Sequence, residues 1–203
     1  MEGLTDNGKE VLNLFRLAAD EVDNIYWQQV FGDKNLILAL PDGPAKEYAL
    51  INYGPWDRLD NNQPFIEGYG PRPAGARFYP EDMTAEEFDA LDDPAKNSPY
   101  TLIRRDESGN LKVVWYHDAY KESIEKITRY LEGAATMTIK ESVRNFLLKR
   151  AEALRTDDYY ESDLAWMDMK DSKMDIVIGP IEDYEDGIHG LKTAYECFIL
   201  LKD

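Results

Sequence analysis

Carboxylates and phenols crowd two neighbouring stretches, Gly179-Pro-Ile-Glu-Asp-Tyr-Glu-Asp186 and Ala194-Tyr-Glu-Cys-Phe198, where seven of thirteen positions are acidic or tyrosine. The first follows directly on an apolar run, Ile176-Val-Ile178. A strand that delivers carboxylates and a phenol to its own end suits a cationic or polar ligand. An ionised acid pairs with an ammonium, and a phenol donates to an oxygen. A second acidic and aromatic run, Asp157-Asp-Tyr-Tyr-Glu-Ser-Asp163, precedes Trp166. Paired acids about 5 to 9 Å apart would serve glycoside hydrolysis. A chain with 40 acids forms such pairs without purpose, so a solvated acidic face is the simpler reading of Asp157 to Asp163.

Other chemistry finds less support. The two histidines, His117 and His189, lie 72 positions apart and neither belongs to an H-E-x-x-H pattern. His117 reads as a neighbour of a helix N-cap at Asp118, and His189 as a turn residue. The lone Cys197 permits no internal disulfide and no multi-cysteine metal site; its apolar flanks predict a buried, inert thiol. Gly68-Tyr-Gly-Pro-Arg-Pro-Ala-Gly75 lacks the Lys-Ser/Thr of a phosphate loop, and its prolines remove amide donors, which leaves a rigid turn. Asp106-Glu-Ser-Gly-Asn110 lacks the distal bidentate glutamate of a calcium loop and reads as a hairpin turn. Asp57-Arg-Leu-Asp60 reads as a local ion pair.

These groups must be positioned by a chain of 203 residues, enough for one sizeable core and read as a single domain, 1–203. Its 40 acids and 23 bases give a net charge of −17. That field repels nucleic acid and anionic lipid and attracts cations, including peptides with free amino termini. No apolar run approaches the roughly 18 residues that span a bilayer, and the start lacks signal-peptide character, so a cytoplasmic setting is expected.

Apolar spacing through Val11, Phe15, Ala18, Val22, Ile25 and Val30 predicts an amphipathic helix over 6–31, closed by Gly32. A short helix follows over 44–52. Residues 53–80 form a long loop rich in glycine and proline, whose aromatics argue for order. Thr84-Ala-Glu-Glu87 is a capping box, and 100–105 with 111–116 is a hairpin pattern. Two amphipathic helices come next: one through Tyr120, Ile124, Ile127, Leu131 and Ala134, the other opening on a capping box at Thr138-Ile-Lys-Glu141. Strands are expected at 174–178 and 195–201. The class is α+β and helix-rich: a small antiparallel sheet or partial barrel packed with amphipathic helices.

With these residues in view, the sequence resembles the dipeptidyl peptidase III family of zinc exopeptidases, in its bacterial branch. The family carries a Gly-x-Ile-Glu-x-Tyr-x-Asp segment before an aromatic-Glu-x-Phe segment, matched here by Gly179 to Asp186 and Tyr195 to Phe198. Ile51-Asn-Tyr-Gly-Pro-Trp-Asp-Arg-Leu-Asp60, Phe78-Tyr-Pro-Glu-Asp-Met83 and Ser162-Asp-Leu-Ala-Trp-Met-Asp168 add to the resemblance, which runs from about residue 10 to 203. The resemblance implies that Glu182 holds a substrate's free α-amino group and that Tyr184 contacts a substrate carbonyl and steadies the oxyanion. It makes Glu196 a second acid near the amine and Asp186 a substrate-site acid or a structural one. The family's H-E-x-x-G-H helix and downstream E-E-C-R-like segment have no counterpart here, nor has a Nudix box. The resemblance therefore implies the substrate-binding N-terminal lobe alone, with zinc held in a missing catalytic lobe and no cofactor in this chain. Such a lobe is expected to be inactive alone and to bind short peptides. The alternative is a stand-alone peptide-binding or regulatory module. Neither reading fixes an oligomeric state.

Overall fold

The computed structural model describes residues 4–170 and 172–202. In chain order it contains α1 (Asp6–Val30), α2 (Lys34–Leu38), α3 (Pro44–Ile51), β1 (Trp56–Asp57), β2 (Gln63–Pro64) and α4 (Ala85–Ala90). A 3-10 turn at Pro94–Asn97 leads to β3 (Thr101–Arg105), β4 (Leu111–Trp115), α5 (Tyr116–Ala119), α6 (Lys121–Met137), α7 (Glu141–Thr156) and α8 (Tyr160–Met167). The chain then forms β5 (Met174–Glu182) and β6 (Ala194–Leu201). The helix-rich α+β class holds, and the described strands form three separate two-stranded antiparallel ladders: β1–β2, β3–β4 and β5–β6. No helix among the described residues is long and apolar enough to cross a membrane.

The chain divides into two compact units. One takes the chain as far as Ile25, then Trp115–Ile181, and the chain from Tyr195 onward. Its core joins the predicted stripe of α1 (Val11, Phe15, Ala18, Val22, Ile25) to Ile124, Ile127 and Leu131 of α6 and Phe146, Leu147 and Leu154 of α7, all buried. Each of the large aliphatic and phenyl groups contributes about 1.5–3 kcal/mol by leaving water. Buried Arg150 of α7 donates to the Ile178 carbonyl of β5 at 3.2 Å and pairs with Asp163 of α8 at 2.5 Å. One guanidinium thus ties three elements together.

Three expectations fail in this unit. The capping box at Thr138 does not form: Thr138 is instead the C-cap of α6, and α7 starts after Lys140 with no side-chain cap. Arg144 donates to the Thr138 carbonyl at 2.8 Å, so the connection is held from within α7. The expected N-cap at Asp118 is displaced as well, because α5 begins at Tyr116 and already contains His117 and Asp118. Asp157, assigned to a solvated face, is buried at the C-cap of α7 with φ +57°. Its Oδ2 accepts from the His117 amide at 3.0 Å and lies 2.7 Å from His117 Nδ1.

The other unit comprises Tyr26–Val114 and Glu182–Ala194. The long loop over 53–80 is ordered by its aromatics, as expected. Trp56 packs with Trp27, Val30, Phe31, Ile37 and Ala49, with Tyr53, Phe65 and Tyr69 against them. The Trp56 indole donates to the Gly70 carbonyl at 2.8 Å. Helix α2 lacks any periodic signature and is set by Asp33, whose side chain accepts from the Asn35 amide. The capping box at Thr84 is present with both of its hydrogen bonds. Asp106 closes the β3–β4 turn by accepting from the amides of Ser108 and Asn110.

Candidate functional site

Strand β5 continues four residues beyond the apolar run that announced it, and alternation along it decides which carboxylate goes inside. Pro180 and Glu182 are buried while Ile181 between them is exposed. The chain then turns. Within the turn Tyr184 is 70% exposed, whereas Glu185 is 1% and Asp186 5% exposed. One exposed phenol therefore rises from a base of two buried acids.

Glu185 supplies most of the anchoring. Its Oε1 accepts from the Tyr26 hydroxyl at 2.6 Å and from Arg58 Nη1 at 2.5 Å, and its Oε2 pairs with Arg72. Burial works to raise its pKa; the Arg58 hydrogen bond and the two guanidinium charges overcome that and leave it below the ordinary glutamate value. Burial, with the Glu185 charge added, pushes the Tyr26 phenol well up, so Tyr26 stays a neutral donor. Arg58 is fixed in turn by donating from Nε to the Asn52 carbonyl at 2.9 Å. The expected local ion pair within Asp57 to Asp60 is thus corrected. Asp57 accepts from the Leu59 amide, and Arg58 reaches 127 positions along the chain.

Asp186 organises the segment that follows. Its Oδ1 accepts from the amides of Ile188 and His189 at 3.0 and 3.1 Å. Its Oδ2 accepts from Tyr79 Oη at 2.7 Å and from the amides of Leu191 and Lys192 at 2.9 and 3.1 Å. Burial opposes ionisation, and these donors outweigh it, so its pKa falls below the usual aspartate value. Lys192 is fully buried and donates from Nζ to the carbonyls of Lys96 and Ser98 and to Thr101 Oγ1, at 2.7 to 2.9 Å. Beside the turn, the Gly187 amide donates to the Ala74 carbonyl at 2.7 Å. A Cβ on Gly187 would stand 2.8 Å from that oxygen, so only glycine permits the approach.

Tyr184 and Gly187 line a cleft of about 450 Å3, whose other walls are the segments Asn61–Pro64 and Pro71–Ala74. Glu196 lies in the other unit, on β6, partly buried, and burial raises its pKa. Its neighbours there are buried Tyr195 and Cys197, which is half-buried rather than fully buried as expected and whose thiol burial pushes up to about 12. His189 occupies a turn, as expected, stacked on Phe88 with centroids 4.2 Å apart. No three His, Cys, Asp or Glu side chains among the described residues are grouped as a metal site.

Two solved structures share this architecture. Dipeptidyl peptidase III from Caldithrix abyssi matches 98% of this chain at 40% identity with a TM-score of 0.92. The chain resembles the N-terminal lobe of dipeptidyl peptidase III. Dipeptidyl peptidase III from Corallococcus sp. strain EGB matches 99% at 33% identity with a TM-score of 0.91. In both cases the chain spans 40% of the dipeptidyl peptidase III chain. A curated relative, Nudix hydrolase 3 of Arabidopsis thaliana, is 28% identical across 98% of this chain and 34% of its own length. No protein-family model matches.

The sequence reading named Glu182, Tyr184, Asp186 and Glu196. Glu185, Arg72, Tyr26 and Tyr79 carry no such role in sequence, and Arg58 only that of a local ion pair, yet these groups hold the turn in place. One signal was available: Arg58 and Arg72 sit in a loop dense in buried aromatics, where a guanidinium demands an acid.

Proposed function

We propose that this chain is the peptide-gripping lobe of a dipeptidyl peptidase III-like enzyme, acting on the amino end of short peptides. The observation that carries this reading is Tyr184: an exposed phenol on a turn whose two following acids are buried and fully engaged. A donor held in advance at a fixed point costs no reorganisation when negative charge develops on a substrate oxygen. In this reading Tyr184 donates to a peptide carbonyl and steadies the oxyanion. Glu182 pairs with the α-ammonium, and Glu196 on β6 is a second acid for cationic ligands. Asp186 serves the site by holding the segment that carries Tyr184.

Removal of dipeptides would need a water-activating zinc. Among the described residues no three His, Cys, Asp or Glu side chains group as a metal site, so the roles given to this chain are those of its carboxylates and phenol. The metal would come from an H-E-x-x-G-H segment outside this sequence, and the lobe alone would bind without cleaving. The same grip would serve a non-catalytic peptide-binding module in a cytoplasmic setting.

The test is calorimetric titration with a free-amino tripeptide and its N-acetylated form. Loss of the charge-assisted pair should weaken the acetylated peptide about tenfold or more. Glu182→Gln should remove that difference. Equal binding of both peptides by the unaltered chain would overturn the role of Glu182.

A further inference from the structure

The cleft beside Tyr184 is unusual for this chain: its lining contains no aspartate or glutamate, although the protein's net charge is −17. Its polar side chains are the amides of Asn61, Asn62 and Gln63, the phenol of Tyr184 and the guanidinium of Arg72. Arg72 is the telling member. Its side chain is only 14% exposed, and Nη2 pairs with Glu185. Among the described residues it makes no other hydrogen bond or ion pair. A guanidinium carries five N–H donors, and a largely buried one ordinarily uses most of them. Glu185 cannot satisfy the remainder, because its other oxygen is already committed to Tyr26 and Arg58. One carboxylate thus faces two arginines, and the second arginine borders an acid-free cleft.

We infer that this cleft accepts a carboxylate, from either the C-terminus or an acidic side chain of a short peptide. Arg72 receives it through its unused N–H groups, with support from the Asn62 and Gln63 amides. The planar fork of a guanidinium matches a carboxylate in a way that a point charge does not. The peptide source of the carboxylate rests on the proposed function; the recognising chemistry rests on the cleft alone.

The experiment follows the guanidinium 15N signals of the full chain during titration with succinate, a dicarboxylate that has no amine, and with succinamide as the neutral control. Arg72 is expected to shift saturably with succinate only. Trialanine, its C-terminal amide, and the amide of Ala-Ala-Asp then separate the two sources of carboxylate. Arg72→Met should lose about tenfold affinity for the carboxylate-bearing peptides and little for the amide. Because Arg72 also anchors Glu185, exposed Gln63→Ala is the second variant, expected to weaken the same peptides about threefold without altering the melting temperature. Peptides that bind equally with and without a carboxylate, together with an unmoved Arg72 signal, would overturn the inference and leave the proposed function standing. A succinate-dependent shift without peptide binding would do the reverse. Binding of neither succinate nor peptide would sink both.

Discussion

Glu185 and Arg58, 127 positions apart in the sequence, meet at 2.5 Å with the acid only 1% exposed. Removing one partner of such a pair leaves an uncompensated buried charge, the costly half of the exchange. Glu185→Gln strands both Arg58 and Arg72, and should lower stability by about 3–5 kcal/mol in urea unfolding. A loss below about 1 kcal/mol would show that the turn is held by something else.

Gly187 and Gly75 make a second, steric prediction. A Cβ on Gly75 would stand 2.5 Å from Ile188 Cδ1 and 2.7 Å from a Tyr79 ring carbon, and one on Gly187 would meet backbone. Overpacking typically costs about 1–3 kcal/mol. The Gly187 variant belongs at the upper end, since a carbonyl oxygen cannot rotate away as a side chain can. Thermal unfolding of Gly75→Ala and Gly187→Ala should show that order.

Burial pulls the Lys192 ammonium down to about 8, from an ordinary 10.5. Between those values the unfolded chain holds a proton that the folded chain has released, so this residue makes stability rise with pH through that window. Below pH 8 all three Nζ contacts are made by the charged form. The 13Cε signal of Lys192 should titrate near pH 8. If that signal shows no step near pH 8, the buried-ammonium assignment is wrong.

Cys197 acts in the opposite sense. Its thiol is pushed up to about 12 by burial, with the Glu196 charge adding to the effect. Only the thiolate attacks a disulfide reagent. At pH 8 the native chain should therefore react at least tenfold more slowly than the urea-unfolded chain. Equal rates would mean that the thiol is accessible and unperturbed.

Local signals carried much of the fold and little of the anchoring of the site. Helix α1 was legible because Val11, Phe15, Ala18, Val22 and Ile25 repeat at helical spacing and all end up buried. Of two capping boxes, the one at Thr84 forms and the one at Thr138 does not. The motif at Thr138 lost to α6, which runs on to Met137 and takes Thr138 as its own C-cap. Glu182, Tyr184 and Asp186 stood out by composition. Which of the neighbouring acids would be buried depended on Arg58 and Arg72, and no local pattern encodes a contact over 127 positions. Asp157 escaped for a related reason, since its partner His117 lies 40 positions earlier.

The chain leaves one compact unit at Ile181, spends Glu182–Ala194 in the other, and returns at Tyr195. During synthesis this threading delays both. A nascent chain that has emerged only through β5 lacks the carboxylate that neutralises Arg58 and Arg72, and it lacks the partner strand of β5. Each unit waits for residues beyond 181, one for Glu182–Ala194 and the other for the chain from Tyr195 onward. On the ribosome two arginines and an open strand edge therefore stay exposed to chaperones until those residues emerge.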